Sequence, residues 1–367
     1  QIHQINGKQI MLFLRDVASK ATGNHTQLVY SIENNGVWSE PQPVSKQDTA
    51  DFFFSSAVCN GKLVVAWQKS KASVESTDVD ALLGELAENS EICVAVFDET
   101  TGTFAEERYI TENDIVDMMP VVSADEENTY ITWVANDAND VLGKEGNYLV
   151  SQAKLDGDNT TASVLYSTTE YVVELAAGGD KVLIAVANDD GTTNLYSVSG
   201  DTADQITANI DAAGLSWNGS VFTWQKDGSL YSYSPATGTT EEMIAADAAL
   251  SSSYEYITNG AETAVVWTES GEAGYAVKAV FRYGDTWSAP TELLSGQDDT
   301  VAFMDAQMLA DGSISLIMNA VSYDNNGAAA ATSLQYANVM PQTNLSLTLA
   351  DPEYPDWEKQ TQQIDLV

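Results

Sequence analysis

The segment Ser56-Ala-Val-Cys-Asn60-Gly61-Lys-Leu-Val-Val-Ala-Trp67 decides the fold. Two short apolar runs flank an Asn-Gly pair, and the second run ends on a tryptophan. Asn-Gly between apolar runs is a strong hairpin signal, because a type I′ turn needs φ > 0 at both central residues. The N-terminus repeats the phrase as Ile2-His-Gln-Ile-Asn6-Gly7-Lys-Gln-Ile-Met-Leu-Phe-Leu14. Further copies end near Trp133, Val186, Trp224, Trp267 and Met318, with turns that include Asn218-Gly219, Asn259-Gly260 and Asp311-Gly312.

The period is roughly 50 residues, the range of four-stranded propeller blades. Each hairpin supplies strands A and B, and two further strand-like stretches supply C and D. Thr26–Ser31 with Trp38–Val44 follow the first hairpin, and Tyr275–Phe281 with Trp287–Leu293 follow the sixth. The expectation is an all-β chain forming a single β-propeller of four-stranded antiparallel blades, about seven in number and between six and eight. The blades are expected at 1–47, 48–113, 114–169, 170–205, 206–250, 251–296 and 297–350. Asp78–Ala87 alone has a helical period and reads as a short helix inserted between strands B and C of blade 2. Residues 351–367 fall outside the repeat, either as a tail that caps the ring or as the start of a following Ig-like domain.

With 54 acidic and 15 basic residues, the net charge is −39. Such a surface repels phosphate backbones and anionic lipid, which excludes nucleic acid as a partner. No apolar run is long enough to span a membrane, so membrane insertion is not expected. Two cysteines, Cys59 and Cys93, do not make a disulfide framework, and two histidines are too few for a His-based zinc site. High charge of one sign keeps copies apart, so a monomer is expected, and exported, cell-surface proteins fit that acidity. Excess carboxylates also make Ca²⁺ the one cofactor to consider.

Two C–D turns resemble the Asp-box of sialidase and BNR-repeat propellers, Ser-x-Asp-x-Gly-x-Thr-Trp. Ser31 to Trp38 has the same length and keeps Ser31 and Trp38, with Glu33 and Asn35 at the Asp and Gly places. Val280 to Trp287 keeps Gly284, Thr286 and Trp287, with Arg282 at the Asp place. Ser-x-Pro follows both, at Ser39 and Ser288. The resemblance implies a structural role for these turns, on the face opposite the usual binding face. It also implies what a catalytic relative would need: six blades, an arginine triad, a Tyr–Glu pair and an acidic Asp. Arg15, Arg108 and Arg282 are the chain's three arginines, and their places in the repeat keep them apart. The resemblance is therefore to a degenerate, non-catalytic relative.

The beginning of strand A opens on the binding face of such a ring. Asp51 and Asp117 each lie nine residues before their turns, and blade 7 offers Asp299 and Asp305. Together they are expected to form an acidic rim around the channel mouth, for a sugar or a cation, or as solvated loop acids. The B–C loops share this face and carry Asn136-Asp137-Ala-Asn-Asp140, Asn188-Asp189-Asp-Gly191, Lys226-Asp-Gly228 and Asp324-Asn-Asn-Gly327. These residues suit sugar hydroxyls, although the same types also satisfy turn backbone locally. The function expected is ligand binding or spacing in a secreted or cell-surface multidomain protein, with a glycan or a protein on this face. The alternative is a glycoside hydrolase using channel-mouth carboxylates, which needs two of them about 5–10 Å apart.

Overall fold

The computed structural model describes residues 1–367 except 21, 46–48, 75, 77, 144, 158, 246–248, 252, 272–273, 298, 324–328, 342–343, 349–360 and 366–367. Seven antiparallel sheets follow one another along the chain, each a meander in which neighbours in sequence are neighbours in space, apart from short extra strands in blades 1, 2 and 6. The innermost strands are Ile2–Ile5, Asp51–Cys59, Val116–Ala124, Val172–Gly178, Ala213–Trp217, Tyr254–Thr258 and Asp299–Met308. They surround a central channel, so the chain is a seven-bladed propeller.

Alternation explains the cohesion. Each second strand is apolar on both faces, as Lys62–Ser70 shows with Leu63 to Trp67 all buried, because neighbouring blades cover both faces of each sheet. Six large apolar clusters result, one between each pair of consecutive blades. Trp67 sits in the cluster joining blades 1 and 2, Trp133 in that joining 2 and 3, Trp224 in that joining 4 and 5, and Trp267 in that joining 5 and 6. A smaller seventh cluster of Ile2, Met11 and Ile317, with Phe13 and Trp38 packed on it, joins blade 7 to blade 1.

Among the described residues no strand is shared between blades 7 and 1 where the ring closes. Among the described residues blade 7 has three strands, Asp299–Met308, Ile314–Tyr323 and Ala329–Val339. Polar contacts supplement the small closing cluster. The Gln9 amide donates to Ser315 Oγ at 2.9 Å and accepts from Tyr336 OH at 2.9 Å, and Trp38 meets Tyr336 edge-on at 5.2 Å. Beyond the ring, Asn344–Thr348 pairs with Thr361–Asp365. Residues 349–360 of the C-terminal segment lie outside the described residues.

The Asn-Gly turns divide into two kinds. Asn6-Gly7 and Asn60-Gly61 have positive φ at both residues, as type I′ requires. At Asn218 and Asn259 only the following glycine is positive. There the asparagine side chain instead accepts backbone N–H groups of Ser220 and Val221, or of Ala261 and Glu262. Helix α1 spans Val79–Glu88 between strands B and C of blade 2, where the period placed it, and Asp78 caps its N-terminus through Ala81 N. Blade 4 runs on to Ile210 rather than ending at 205.

The two Asp-box-like turns are built alike. Ser39 Oγ accepts Ile32 N at 3.0 Å, and Ser288 Oγ accepts Phe281 N at 3.0 Å. Trp38 and Trp287 turn inward onto Tyr336 and Tyr256. They are packing devices, as the resemblance implies.

Candidate functional site at the channel mouth

The seven inner strands begin on one face, and the beginnings of five of them share a distortion. In blade 2, Asp51 pairs with Lys69 but Phe54 pairs with Trp67, so strand A carries one residue more than strand B. The same extra residue occurs at Met118–Val121, Val172–Glu174, Ala213–Ser216 and Val301–Phe303. A bulge of this kind bends the strand and re-aims its side chains. Met119 adopts φ +53° within one of them, a conformation a large side chain rarely takes.

The re-aimed residues are apolar. Phe53 is 71% exposed and Phe303 46% exposed. Phe53, Met118, Met119, Val173 and Tyr171 line a cleft of about 610 Å³, walled by Leu83 and Leu86 of α1 and by Val141 from the B–C loop of blade 3. Glu88, Asp140 and Glu170 are the sequence neighbours of the lining residues Ala87, Val141 and Tyr171, and the Asp140 carboxylate accepts Leu142 N and Glu145 N within its own loop. Glu174 is the carboxylate within the lining. It accepts Leu215 N at 2.7 Å, and burial raises its pKa.

Below the cleft, a second cavity of about 570 Å³ occupies the channel and is polar, with Ser55, Ser56, Ser216, Glu255 and Asp305 in its wall. Burial raises the pKa of both Glu255 and Asp305; the Asp305 charge raises Glu255 further, whereas the backbone N–H groups of Ile2 and Ala306 work against the rise at Asp305. Asp305 accepts Ile2 N at 2.5 Å. His3 meets Ser56 Oγ at 2.7 Å, and its pKa is pushed down to about 3 by burial.

Two members of the expected acidic rim do not reach the mouth. Asp51 and Asp117 are each 1% exposed and turn into their own blades. Asp51 Oδ1 accepts Trp67 Nε1–H at 2.9 Å, and Asp117 Oδ1 accepts Trp133 Nε1–H at 2.6 Å. The identical spacing of sixteen residues from Asp to Trp is therefore an internal tie between strands A and B. The bulge that follows each aspartate brings Phe53 or Met119 to the mouth instead. The sequence carried the signal as Asp51-Phe-Phe-Phe and Asp117-Met-Met-Pro, two apolar triplets at one repeat position.

The loop residues divide similarly. Asn136 is fully buried and organises its own loop, accepting Ala138 N and Asp140 N and donating to Glu145 O. Asp137 is exposed and accepts both the backbone and the side-chain N–H of Asn147 at 2.7 Å. Asn188 donates to Thr192 Oγ1 and Asn194 Oδ1, while Asp189 is exposed. Asp305 faces the channel, and Asp324 lies outside the described residues, as does the side chain of Asp299. Asp51, Asp117, Asn136 and Asn188 thus hold structure locally, whereas Asp137, Asp189 and Asp305 keep an open side. Among the described residues, no three His, Cys, Asp or Glu side chains converge as metal ligands. Arg15 lies in strand B of blade 1, Arg108 in the outer strand of blade 2, and Arg282 at the C–D turn of blade 6, donating to Gly284 O.

No known sequence family and no curated protein matches the chain. Solved structures do match it. The uncomplexed acylaminoacyl peptidase of Pyrococcus horikoshii aligns over 95% of this chain and 56% of its own, at 10% identity and a TM-score of 0.54. The Hadza microbial sialidase Hz136 aligns over 92% and 64%, at 10% identity and a TM-score of 0.50. Trypanosoma rangeli sialidase in complex with the inhibitor DANA aligns over 92% and 54%, at 10% identity and a TM-score of 0.49. The chain spans between half and two thirds of these proteins. The first two likenesses are of fold: a sialidase-like propeller, at sequence identities where a fold hosts unrelated functions.

Proposed function

We propose that the chain is a non-catalytic recognition propeller of an exported, cell-surface protein, and that it binds a protein segment in the cleft at the channel mouth. The carrying observation is the chemistry of that cleft. Phe53, Met118, Met119 and Leu83 offer apolar surface where a sugar would need hydrogen-bond partners. An exposed side chain as large as Phe53 on an acidic surface marks an interaction site. Methionines adapt to varied apolar partners. A net charge of −39, with Glu88 and Glu170 next in sequence to lining residues, favours one occupant: a segment presenting a bulky apolar side chain flanked by Lys or Arg.

The competing hydrolase reading loses two of its channel-mouth carboxylates, since Asp51 and Asp117 face tryptophans inside the blades. Export and surface location are supported by the acidity alone and belong to this reading.

The test is a displayed random-peptide selection run beside a glycan array, with the wild type and the Phe53→Ser/Met119→Ser double variant. Selected peptides should be rich in an aromatic or Leu next to Lys or Arg. They should bind the double variant at least about tenfold more weakly, the loss of one to two buried apolar contacts. Glycan binding that survives the double variant, with no peptide enriched, refutes the reading.

A further inference from the structure

Lys69 is the one lysine of the described chain with no exposed surface, in a protein with only 15 basic residues. Its ammonium lies 3.3 Å from Asp51 Oδ1 and 3.6 Å from Glu107 Oε1, and these carboxylates are 1% and 8% exposed. Ser45 Oγ also contacts Nζ. Asp51 and Lys69 are direct cross-strand partners, so their side chains share a face. Burying two carboxylates around one ammonium leaves a surplus negative charge, and neither oxygen of Glu107 accepts a hydrogen bond. Such a group is costly unless something else uses it.

Blade 3 shows what the fold requires at this place. There Asp117 bonds Trp133 just as Asp51 bonds Trp67, yet the residue across from Asp117 is Ala135. The lysine and the second acid are therefore additions to a tie that holds without them. They complete a different set. Trp67 Nε1–H and Leu28 N–H, both at 2.9 Å, hold the two oxygens of the Asp51 carboxyl. The Lys69 nitrogen lies 3.3 Å from Oδ1, one bond from the carboxyl carbon, and a second carboxylate is within reach of the same nitrogen.

We propose that Lys69 and Asp51 become joined by an intramolecular amide bond that forms in the folded chain. Glu107 takes a proton from the Lys69 ammonium and acts as the base. The freed lone pair attacks Cγ of the Asp51 carboxyl, and Trp67 Nε1–H and Leu28 N–H stabilise the charge that develops on its oxygens. The nitrogen of the adduct then gives its second proton to the departing oxygen, Glu107 returns the first to the same oxygen, and the C–O bond breaks to release water and leave a neutral amide. An ammonium and a carboxylate become one amide and one water, with no oxidant, cofactor or other reactant. The bond staples strand B to strand A at the top of blade 2, directly before the bulge that presents Phe53.

Tryptic mapping of the urea-denatured full chain decides the matter. The expected product is a single species in which residues 47–62 are linked to residues 63–71, uncleaved at Lys69 and lighter than the sum of the parts by one water. Glu107→Gln should give the two separate peptides, with cleavage at Lys69 restored and an unchanged circular dichroism spectrum. Separate, unmodified peptides from the wild type overturn the bond, and this arm does not depend on any variant folding. A cross-link that forms equally well in Glu107→Gln overturns the role of Glu107.

Discussion

Asp117 is the place where burial and charge oppose each other most measurably. The carboxyl is 1% exposed, and its pKa is raised from 3.8 to about 6, chiefly because burial penalises the anion and despite hydrogen bonds from Asn113 and Trp133. A raised acid holds its proton longer in the native state than in the unfolded chain. Stability is therefore greatest while Asp117 is protonated, and it falls as pH rises from 3.8 towards 6. At about 1.4 kcal/mol per pH unit, the ionised form at pH 7 costs the native state about 3 kcal/mol. Asp117→Asn removes the charge and keeps an oxygen for Trp133. It also sets an amide N–H₂ against Asn113, which donates to Oδ2 at 2.8 Å, and that mismatch costs about 1 kcal/mol. The variant should be more stable than the wild type at pH 7 by about 2 kcal/mol. Its advantage should vanish near pH 4, a swing of about 2 kcal/mol. Urea unfolding of both proteins at the two pH values isolates this group, because every other titration cancels in the difference. A variant less stable than the wild type by the same amount at both pH values would refute the reasoning and would mean that the hydrogen bonds outweigh the burial.

The remaining predictions concern packing. A Cβ on Gly178 would lie 2.2 Å from the ring of Trp217, whereas one on Gly61 would meet nothing within 4 Å and only strain a turn residue at φ +76°. Gly178→Ala should therefore cost about 2–3 kcal/mol by overpacking and Gly61→Ala about 1 kcal/mol, compared by urea unfolding; equal costs would contradict the close approach. Cys59 and Cys93 are free and buried, and burial raises both thiols, Cys59 to about 11. Iodoacetamide at neutral pH should leave the native protein unlabelled and modify both cysteines in urea, since the thiolate is the reactive form; rapid labelling of the native protein would contradict their burial.

Much of the fold was legible because it is local. Asn6-Gly7 and Asn60-Gly61 fix hairpins through two consecutive positive φ angles, and apolar runs ending in Trp67, Trp133, Trp224 and Trp267 mark strands covered on both faces. The repeat of that phrase set the number of blades, and Asp78 with its following period set α1. The ends of blades were less legible: strand D of blade 4 reaches Ile210 because outer strands lack the apolar pattern that inner ones carry.

The site was decided elsewhere. By itself the sequence determined a ring of hairpins, a strongly acidic surface and the places where the inner strands begin. Which side chains face the mouth depends on a one-residue bulge, and in a strand a shift of one residue exchanges the two faces. That shift turned Asp51 and Asp117 inward to Trp67 and Trp133 and brought Phe53 and Met119 outward. Only the tertiary structure could show it, because the indole that holds each aspartate lies on the neighbouring strand, sixteen residues away.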